Sequence, residues 1–223
     1  MDTSLYRHRL ARASLERSES VSGVEWLALA LFALYALVGF GIRTAVQIRR
    51  TGDSGFRGLS GSLGSVEWWA GLLFATALVA GVVAPIAGLL GLSTISALEH
   101  GWVHTAGAVL ATLGIVGTFI TQLDMGDNWR VGVDEDERTE LVISGSFAMV
   151  RNPIFTAMLV TGAGIALVVP NGIALGSWVL LLLAVQLQVR VVEEPYLRRH
   201  HDASYQRYVA RVGRFLPGVG TLR

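Results

Sequence analysis

Long apolar runs separated by short polar segments dominate the pattern of this chain. A bilayer-spanning helix takes about 20 mostly apolar residues, and five runs reach or approach that length. They extend from about Val24 to Ile42, Val66 to Leu92, Val103 to Leu123, Pro153 to Val169 and Ile173 to Val192. The pattern therefore predicts an all-α, polytopic membrane protein with about five transmembrane helices.

A short turn joins the last two apolar runs. Pro170, Asn171 and Gly172 form a strong turn signal, and nothing else separates the two runs. We therefore predict that the fourth and fifth helices form a tight antiparallel hairpin.

Beyond Pro195 the chain becomes amphipathic. Apolar and aromatic residues recur there at helical intervals between arginines, namely Leu197, Tyr205, Tyr208, Val209 and Val212. This pattern predicts a C-terminal amphipathic helix that lies on the membrane surface or packs against the helical bundle.

The hydropathy pattern divides the chain into three parts. Residues 1–23 are polar, residues 24–123 contain the first three helices, and residues 124–217 contain a charged loop, the hairpin and the amphipathic tail. No small-residue cleavage site follows a short apolar core, so we do not expect a cleavable signal. Arginines alternate between the loops, which indicates a cytoplasmic C-terminus. We expect a bacterial plasma-membrane protein whose functional site faces the cytoplasm, although the N-terminal arginines would then face outward.

Composition narrows the classes of function. The chain is 52% hydrophobic and only 16% charged, whereas soluble domains are about 25% charged. The net charge of +1 gives no reason to expect nucleic acid as a partner. The absence of cysteine excludes disulfides, thiolate metal sites and a cysteine nucleophile. His100 and His104 have no third ligand in view and are interpreted as interfacial residues, so we predict no metal site.

Charged residues crowd the loop from Gly126 to Glu140, before the fourth helix. Clustered carboxylates can bind Mg²⁺ or Ca²⁺, but the spacing here does not match a calcium-binding loop. A solvated cytoplasmic loop is the favoured interpretation.

Arg151, Asn152 and Pro153 mark the start of the fourth helix. Asparagine is a good N-cap and proline suits the first helical position, so capping alone explains the pair. The free N–H groups of a helix start also suit a carboxylate or a phosphate, and Arg151 would strengthen that field. Both interpretations stay open from the residues alone.

Arg190 and Glu194 are four residues apart near the end of the fifth helix. In a regular helix this spacing places both side chains on one face. A local ion pair is the simplest explanation, although the stabilising order is acid before base. Arg190 lies about one turn inside the apolar run, where an unpaired guanidinium is costly. A functional role is therefore the alternative.

Taken together, these motifs resemble a known family. The matching positions are Leu141, Val142, Gly145, Phe147, Arg151, Asn152, Pro153 and Phe155, then the hairpin, Arg190, Glu194, Tyr205, Tyr208, Arg214 and Pro217. They are similar to the isoprenylcysteine carboxyl methyltransferases and to the phospholipid methyltransferases. The resemblance covers about residues 124–217. In this family the motif, the hairpin and the acidic residue enclose S-adenosylmethionine without a Rossmann domain, and the substrates are lipid-linked.

The resemblance assigns roles to residues of this chain. It implies a cofactor pocket lined by Leu141, Val142, Gly145, Phe147, Arg151, Asn152, Pro153 and Phe155. Glu194 would hold the ammonium of the cofactor and act in catalysis, and Arg190 would face the methyl acceptor. The family commonly has histidine in place of Asn152 and tyrosine in place of Phe147 and Phe155. Asparagine cannot transfer a proton near neutral pH as histidine can.

The resemblance implies a membrane methyltransferase with a lipophilic or lipid-linked acceptor. A sulfonium methyl group is already activated, so the protein mainly brings the acceptor into line and excludes water. A carboxylate acceptor needs no general base, and Arg190 could orient it through two hydrogen bonds. An amine would need Glu193 or Glu194 as a base, so a carboxylate is favoured. Two alternatives remain: a membrane reductase that uses NADPH, and a non-catalytic membrane protein that retains the scaffold.

Overall fold

The computed structural model describes residues 23–55, 61–129 and 140–222. Six helices follow one another: α1 (Gly23–Thr51), α2 (Val66–Leu89), α3 (Gly101–Met125), α4 (Pro153–Val168), α5 (Gly172–Leu187) and α6 (Glu194–Val209). A π-helical turn, Gln188–Glu193, joins α5 to α6, and another, Leu37–Ile42, lies within α1. No β-strand occurs in these three described ranges.

Helix lengths confirm the all-α membrane architecture. Four helical stretches are long and apolar enough to cross a bilayer, namely Gly23–Thr51, Val66–Leu89, Gly101–Asn128 and Gly172–Val209. Helix α4 is a shorter apolar helix. It pairs with α5 across the turn at Asn171, whose side-chain oxygen caps α5 by accepting a hydrogen bond from the Ala174 N–H at 2.9 Å.

Small residues let α3 and α4 pack with their backbones nearly in contact. A Cβ atom on Gly164 would lie 2.3 Å from the backbone nitrogen of Ala111, and one on Gly107 would lie 2.7 Å from the carbonyl oxygen of Gly164. Membrane helices approach this closely only where small residues face each other. Helices α3 and α4 therefore form a closely packed pair.

Helix α1 continues beyond the predicted apolar run because its polar end has partners. Arg43 donates a hydrogen bond to the carbonyl oxygen of Gly126, and Gln47 donates to that of Asp127 at 2.9 Å. These carbonyl groups belong to the end of α3, where backbone oxygens lack partners within the helix. The Arg43 guanidinium also lies 5.3 Å from the centre of the Trp129 ring.

The amphipathic helix α6 packs against the protein through its aromatic face. Tyr196, Tyr205, Tyr208 and Val209 are buried, whereas the arginines on its other side are exposed. The residues after it, 213–222, fold back onto the start of α4, and we call them the C-terminal strap. The backbone N–H of Arg151 donates to the carbonyl oxygen of Gly213 at 2.8 Å.

Two sequence predictions concern residues beyond those described. The polar N-terminal segment lies almost wholly within residues 1–22, and most of the acidic loop lies within residues 130–139. Both fall outside the described ranges. His104 lies at the start of α3, and its Nδ1 is 2.9 Å from the carbonyl oxygen of Val168 at the end of α4. No cluster that could hold a metal occurs among the described residues.

Candidate functional site

Three charged side chains meet where α4, α6 and the C-terminal strap converge. Arg151 donates from a terminal nitrogen to Oε1 of Glu194 at 2.8 Å. Arg214 donates from Nε to Oε1 at 2.7 Å and from a terminal nitrogen to Oε2 at 2.9 Å. We call these three residues the charged triad. It joins three segments of the chain that no local pattern would bring together.

The charged triad is largely shielded from solvent. The side chains of Arg151, Arg214 and Glu194 are 2%, 12% and 8% exposed. The hydrogen bonds that Arg214 donates to Glu194 raise the pKa of the Arg214 guanidinium, so this group stays protonated. Two guanidinium charges against one carboxylate leave one positive charge in excess.

Arg151 is also fixed by backbone carbonyl groups. Its guanidinium donates to the carbonyl oxygens of Val209 and Val212, at 3.3 and 2.8 Å, and to that of Gly220 at 3.1 Å. These acceptors belong to the end of α6 and the residues that follow it. The Arg151 side chain is therefore held in one position before any ligand binds.

The π-helical turn separates Arg190 from Glu194, contrary to the sequence interpretation. Glu194 is buried in the charged triad, whereas Arg190 is exposed, and its Nε donates to the side chain of Gln186 at 2.8 Å. A π-helical turn holds more residues than an α-helical one. The four-residue spacing therefore no longer places the two side chains on one face, and the ion pair considered from the sequence does not form.

A cavity of about 620 Å³ opens beside the charged triad. Ligand sites in proteins commonly enclose about 300–1,000 Å³, so the volume suits a small molecule. Its polar wall includes Arg151, Asn152, Glu193 and Glu194, and helices α1, α2 and α3 complete it. The cavity thus connects the polar end of the hairpin with transmembrane helices.

Most of the predicted pocket residues do line this cavity. The residues in question are Leu141, Val142, Phe147, Arg151, Asn152, Pro153, Phe155 and Glu194. Two predicted residues, Arg190 and Gly145, are not among the lining residues. The structure therefore gathers the motif and Glu194 around one space, and leaves Arg190 outside it.

Gly145 has a structural part in the turn before α4. Its φ of +58° is in the left-handed region, and a Cβ there would lie 2.6 Å from the carboxylate carbon of Asp124. The same carboxylate accepts a hydrogen bond from the backbone N–H of Ser146 at 2.7 Å. Only glycine lets the loop approach Asp124 this closely.

Asn152 stands at the start of α4 as predicted, but its side chain does not cap the helix. No side-chain capping bond forms there, and its Nδ2 instead donates to the carbonyl oxygen of Arg214 at 3.1 Å. The backbone N–H of Asn152 contacts the same oxygen at 3.1 Å. Asn152 therefore ties the C-terminal strap to the cavity wall, which corrects the capping interpretation.

Three residues at the site had no role assigned from the sequence. Arg214 was recognised only as part of the motif, and its partner Glu194 lies 20 residues away. Gln122 of α3 and Trp129, which follows α3, both line the cavity, and each is 3% exposed. The sequence does contain a signal for Gln122, because a glutamine within the last turns of an apolar helix is unusual.

A known protein family matches the part of the chain that contains Arg151, Asn152 and Glu194. The family model of phospholipid methyltransferases matches residues 102–204, just under half of the chain. No curated protein sequence matches the chain significantly. The matched range begins in α3 and ends within α6, so it includes Glu194 and the motif before α4. The resemblance inferred from the motifs is therefore confirmed: residues 102–204 of this chain match the phospholipid methyltransferases, a family of membrane methyltransferases.

Proposed function

We propose that the protein is an S-adenosylmethionine-dependent methyltransferase that acts on a lipophilic or lipid-linked acceptor. One observation carries this proposal. A single cavity has Arg151 and Glu194 of the buried charged triad on one wall and the transmembrane helices α1 and α2 on another. A polar cofactor and a lipophilic acceptor could therefore meet in it.

The charges around the cavity suit the cofactor. S-adenosylmethionine supplies an activated methyl group and carries a carboxylate, an ammonium and a sulfonium. The excess positive charge of the triad matches the carboxylate, with Arg151 on the cavity wall. Glu67 and Glu140 line the same cavity and match the two cationic groups. Because both arginines already occupy Glu194, we assign it to orienting them, rather than to the ammonium contact that the resemblance implied.

The walls away from the triad suit a hydrophobic acceptor. Tyr35 and Phe40 of α1 and Phe74, Ala75 and Leu78 of α2 line this part of the cavity. They belong to helices that cross the membrane, so the acceptor would reach the cavity from the lipid. Hydrophobic lining with a few placed polar groups is typical of such sites.

The position of Arg190 changes the chemical class that we expect for the acceptor. The expectation of a carboxylate acceptor relied on this residue, which does not line the cavity. The remaining carboxylate on the wall, that of Glu193, instead complements an amine. An amine loses a proton when it is methylated, and Glu193 lines the cavity outside the charged triad. We therefore favour an amine over a carboxylate.

A ligand screen on the purified protein in lipid nanodiscs tests the proposed function. S-adenosylmethionine and S-adenosylhomocysteine should raise the unfolding temperature and give saturable binding by titration calorimetry, because a ligand that binds only the folded state stabilises it. NADPH is the control ligand and should do neither. Stabilisation by NADPH alone would contradict the proposal and favour a reductase.

A further inference from the structure

Gln122 is a buried polar residue on the cavity wall that the motifs do not include. It is 3% exposed, and its Nε2 donates to the carbonyl oxygen of Gly39 at 2.7 Å. Within the part of the chain that the structure describes, no hydrogen-bond donor reaches its side-chain oxygen. That oxygen is not fully enclosed by protein atoms, so a molecule in the cavity can reach it.

The hydrogen bond to Gly39 accounts for the amide nitrogen of Gln122 but not for its side-chain oxygen. Gly39 belongs to the π-helical turn of α1, and it also lines the cavity. The amide nitrogen therefore holds α1 against α3. This structural role needs a donor and makes no use of the acceptor, so the oxygen is available to a molecule in the cavity.

The packing of α3 against α4 places Gln122 level with the motif. Cβ atoms on Gly114 and Gly117 would lie 2.8 Å from the carbonyl oxygen and 3.3 Å from the Cβ of Ala157. The two helices are antiparallel, so residues further along α3 face residues nearer the start of α4. Gln122 therefore lies at the level where α4 begins. Arg151 comes just before the first residue of α4 in the sequence. Axes of packed helices are about 8–10 Å apart, so an elongated ligand can contact both walls.

We propose that the side-chain oxygen of Gln122 accepts a hydrogen bond from an O–H or N–H group of the adenosine half of S-adenosylmethionine. The charged triad then holds the amino-acid half of the same molecule. Asn128 and Trp129 also line the cavity, and they follow α3 at its polar end. A soluble cofactor would enter the cavity from this end. This inference rests on the proposed function, and it makes Gln122 a cofactor-binding residue.

Two substitutions separate the ligand contact from the bond to Gly39. Gln122→Met removes both the donor and the acceptor, whereas Gln122→Glu removes the donor but keeps an acceptor oxygen. Titration calorimetry in nanodiscs would use two probes, S-adenosylhomocysteine and 5′-methylthioadenosine, which lacks the amino-acid half. Arg151→Met is the comparison variant, and the unfolding temperature of each variant is recorded.

The expected pattern differs between the variants and between the probes. Gln122→Met should weaken binding of both probes by about 3- to 10-fold, the usual effect of one hydrogen bond. Gln122→Glu should stay closer to the wild type, even where its unfolding temperature falls. Arg151→Met should weaken S-adenosylhomocysteine much more than 5′-methylthioadenosine.

Three results would overturn the inference. Gln122→Met could bind both probes as the wild type does, or Gln122→Glu could lose as much affinity as Gln122→Met. Alternatively, Gln122→Met could weaken only S-adenosylhomocysteine, which would place the contact away from adenosine. A wild-type protein that binds neither probe would instead contradict the proposed function itself.

Discussion

Arg151 and Glu194 are joined by a 2.8 Å ion pair that links the start of α4 to the start of α6. The two residues are 43 positions apart, and their side chains are 2% and 8% exposed. Arg214 completes the pairing from the C-terminal strap. The hairpin and the tail are thereby fixed to one another at the wall of the cavity, so the stability of this region and the shape of the site depend on the same bonds.

Glu194→Gln should destabilise the protein strongly. Removing one partner of a buried ion pair costs about 3–5 kcal/mol, because the remaining charge is left uncompensated. Two guanidinium groups would lose their anion here. The unfolding temperature in detergent measures the effect. Asp127→Asn is the control, because its pair with Arg50 is 64% and 59% exposed and is worth about 1 kcal/mol or less. Equal losses in both variants would contradict the structure.

Arg151→Met should weaken S-adenosylhomocysteine binding by at least about tenfold, the effect of losing a charge-assisted contact of about 1.4 kcal/mol. Arg190→Met removes the same charge from an exposed site outside the cavity, so its affinity should stay near that of the wild type. Titration calorimetry on both variants decides the matter. A larger loss in Arg190→Met would restore the role that the sequence resemblance gave to Arg190.

Gly164→Ala should separate α3 from α4. Its new Cβ would lie 2.3 Å from the backbone nitrogen of Ala111, and overpacking of this kind costs about 1–3 kcal/mol or more. Gly176→Ala is the matched control in α5, where nothing lies within 4 Å of the added atom. That variant should be unchanged or slightly stabilised, since alanine is the better helix former. Thermal unfolding of the two proteins compares them directly, and equal behaviour would refute this packing.

Tyr208→Phe should loosen the turn that carries Phe147. The Tyr208 hydroxyl donates to the Phe147 carbonyl oxygen at 2.6 Å, and leaving a buried carbonyl unpaired costs about 1–3 kcal/mol. Hydrogen–deuterium exchange should rise in residues 145–150, because their turn loses this support. S-adenosylhomocysteine affinity should fall as well, since Phe147 lines the cavity. Unchanged exchange in this segment would show that the hydroxyl is dispensable.

Much of the architecture follows from local features of the sequence. The length of an apolar run sets how far a helix can extend through lipid, and the turn at Asn171 forces α4 and α5 into a hairpin. Glycine and alanine at helical spacing predict close packing, which Gly164 and Ala111 show. The motif before α4 also indicated the wall of the cavity, because a short polar segment between apolar helices has to lie at the polar end of the helical bundle.

The charged residues illustrate what local patterns could not determine. The four-residue spacing of Arg190 and Glu194 predicts a shared face only in a regular α-helix, and the π-helical turn changes the rotation between them. Asn152 had a plausible local role as a cap, but the C-terminal strap offers its side chain a different partner. The backbone geometry decides the first case, and competition from a distant segment decides the second.

The sequence by itself determined the membrane class, the hairpin and the set of motif residues, since apolar length, turn chemistry and residue spacing are properties of short segments. Only the tertiary structure decided that Arg214 and Arg151 share Glu194, that Arg190 is excluded from the cavity and that Gln122 belongs to its wall. The physical reason is that the pairing of a buried charge or carboxamide depends on which groups of distant segments are within hydrogen-bonding distance.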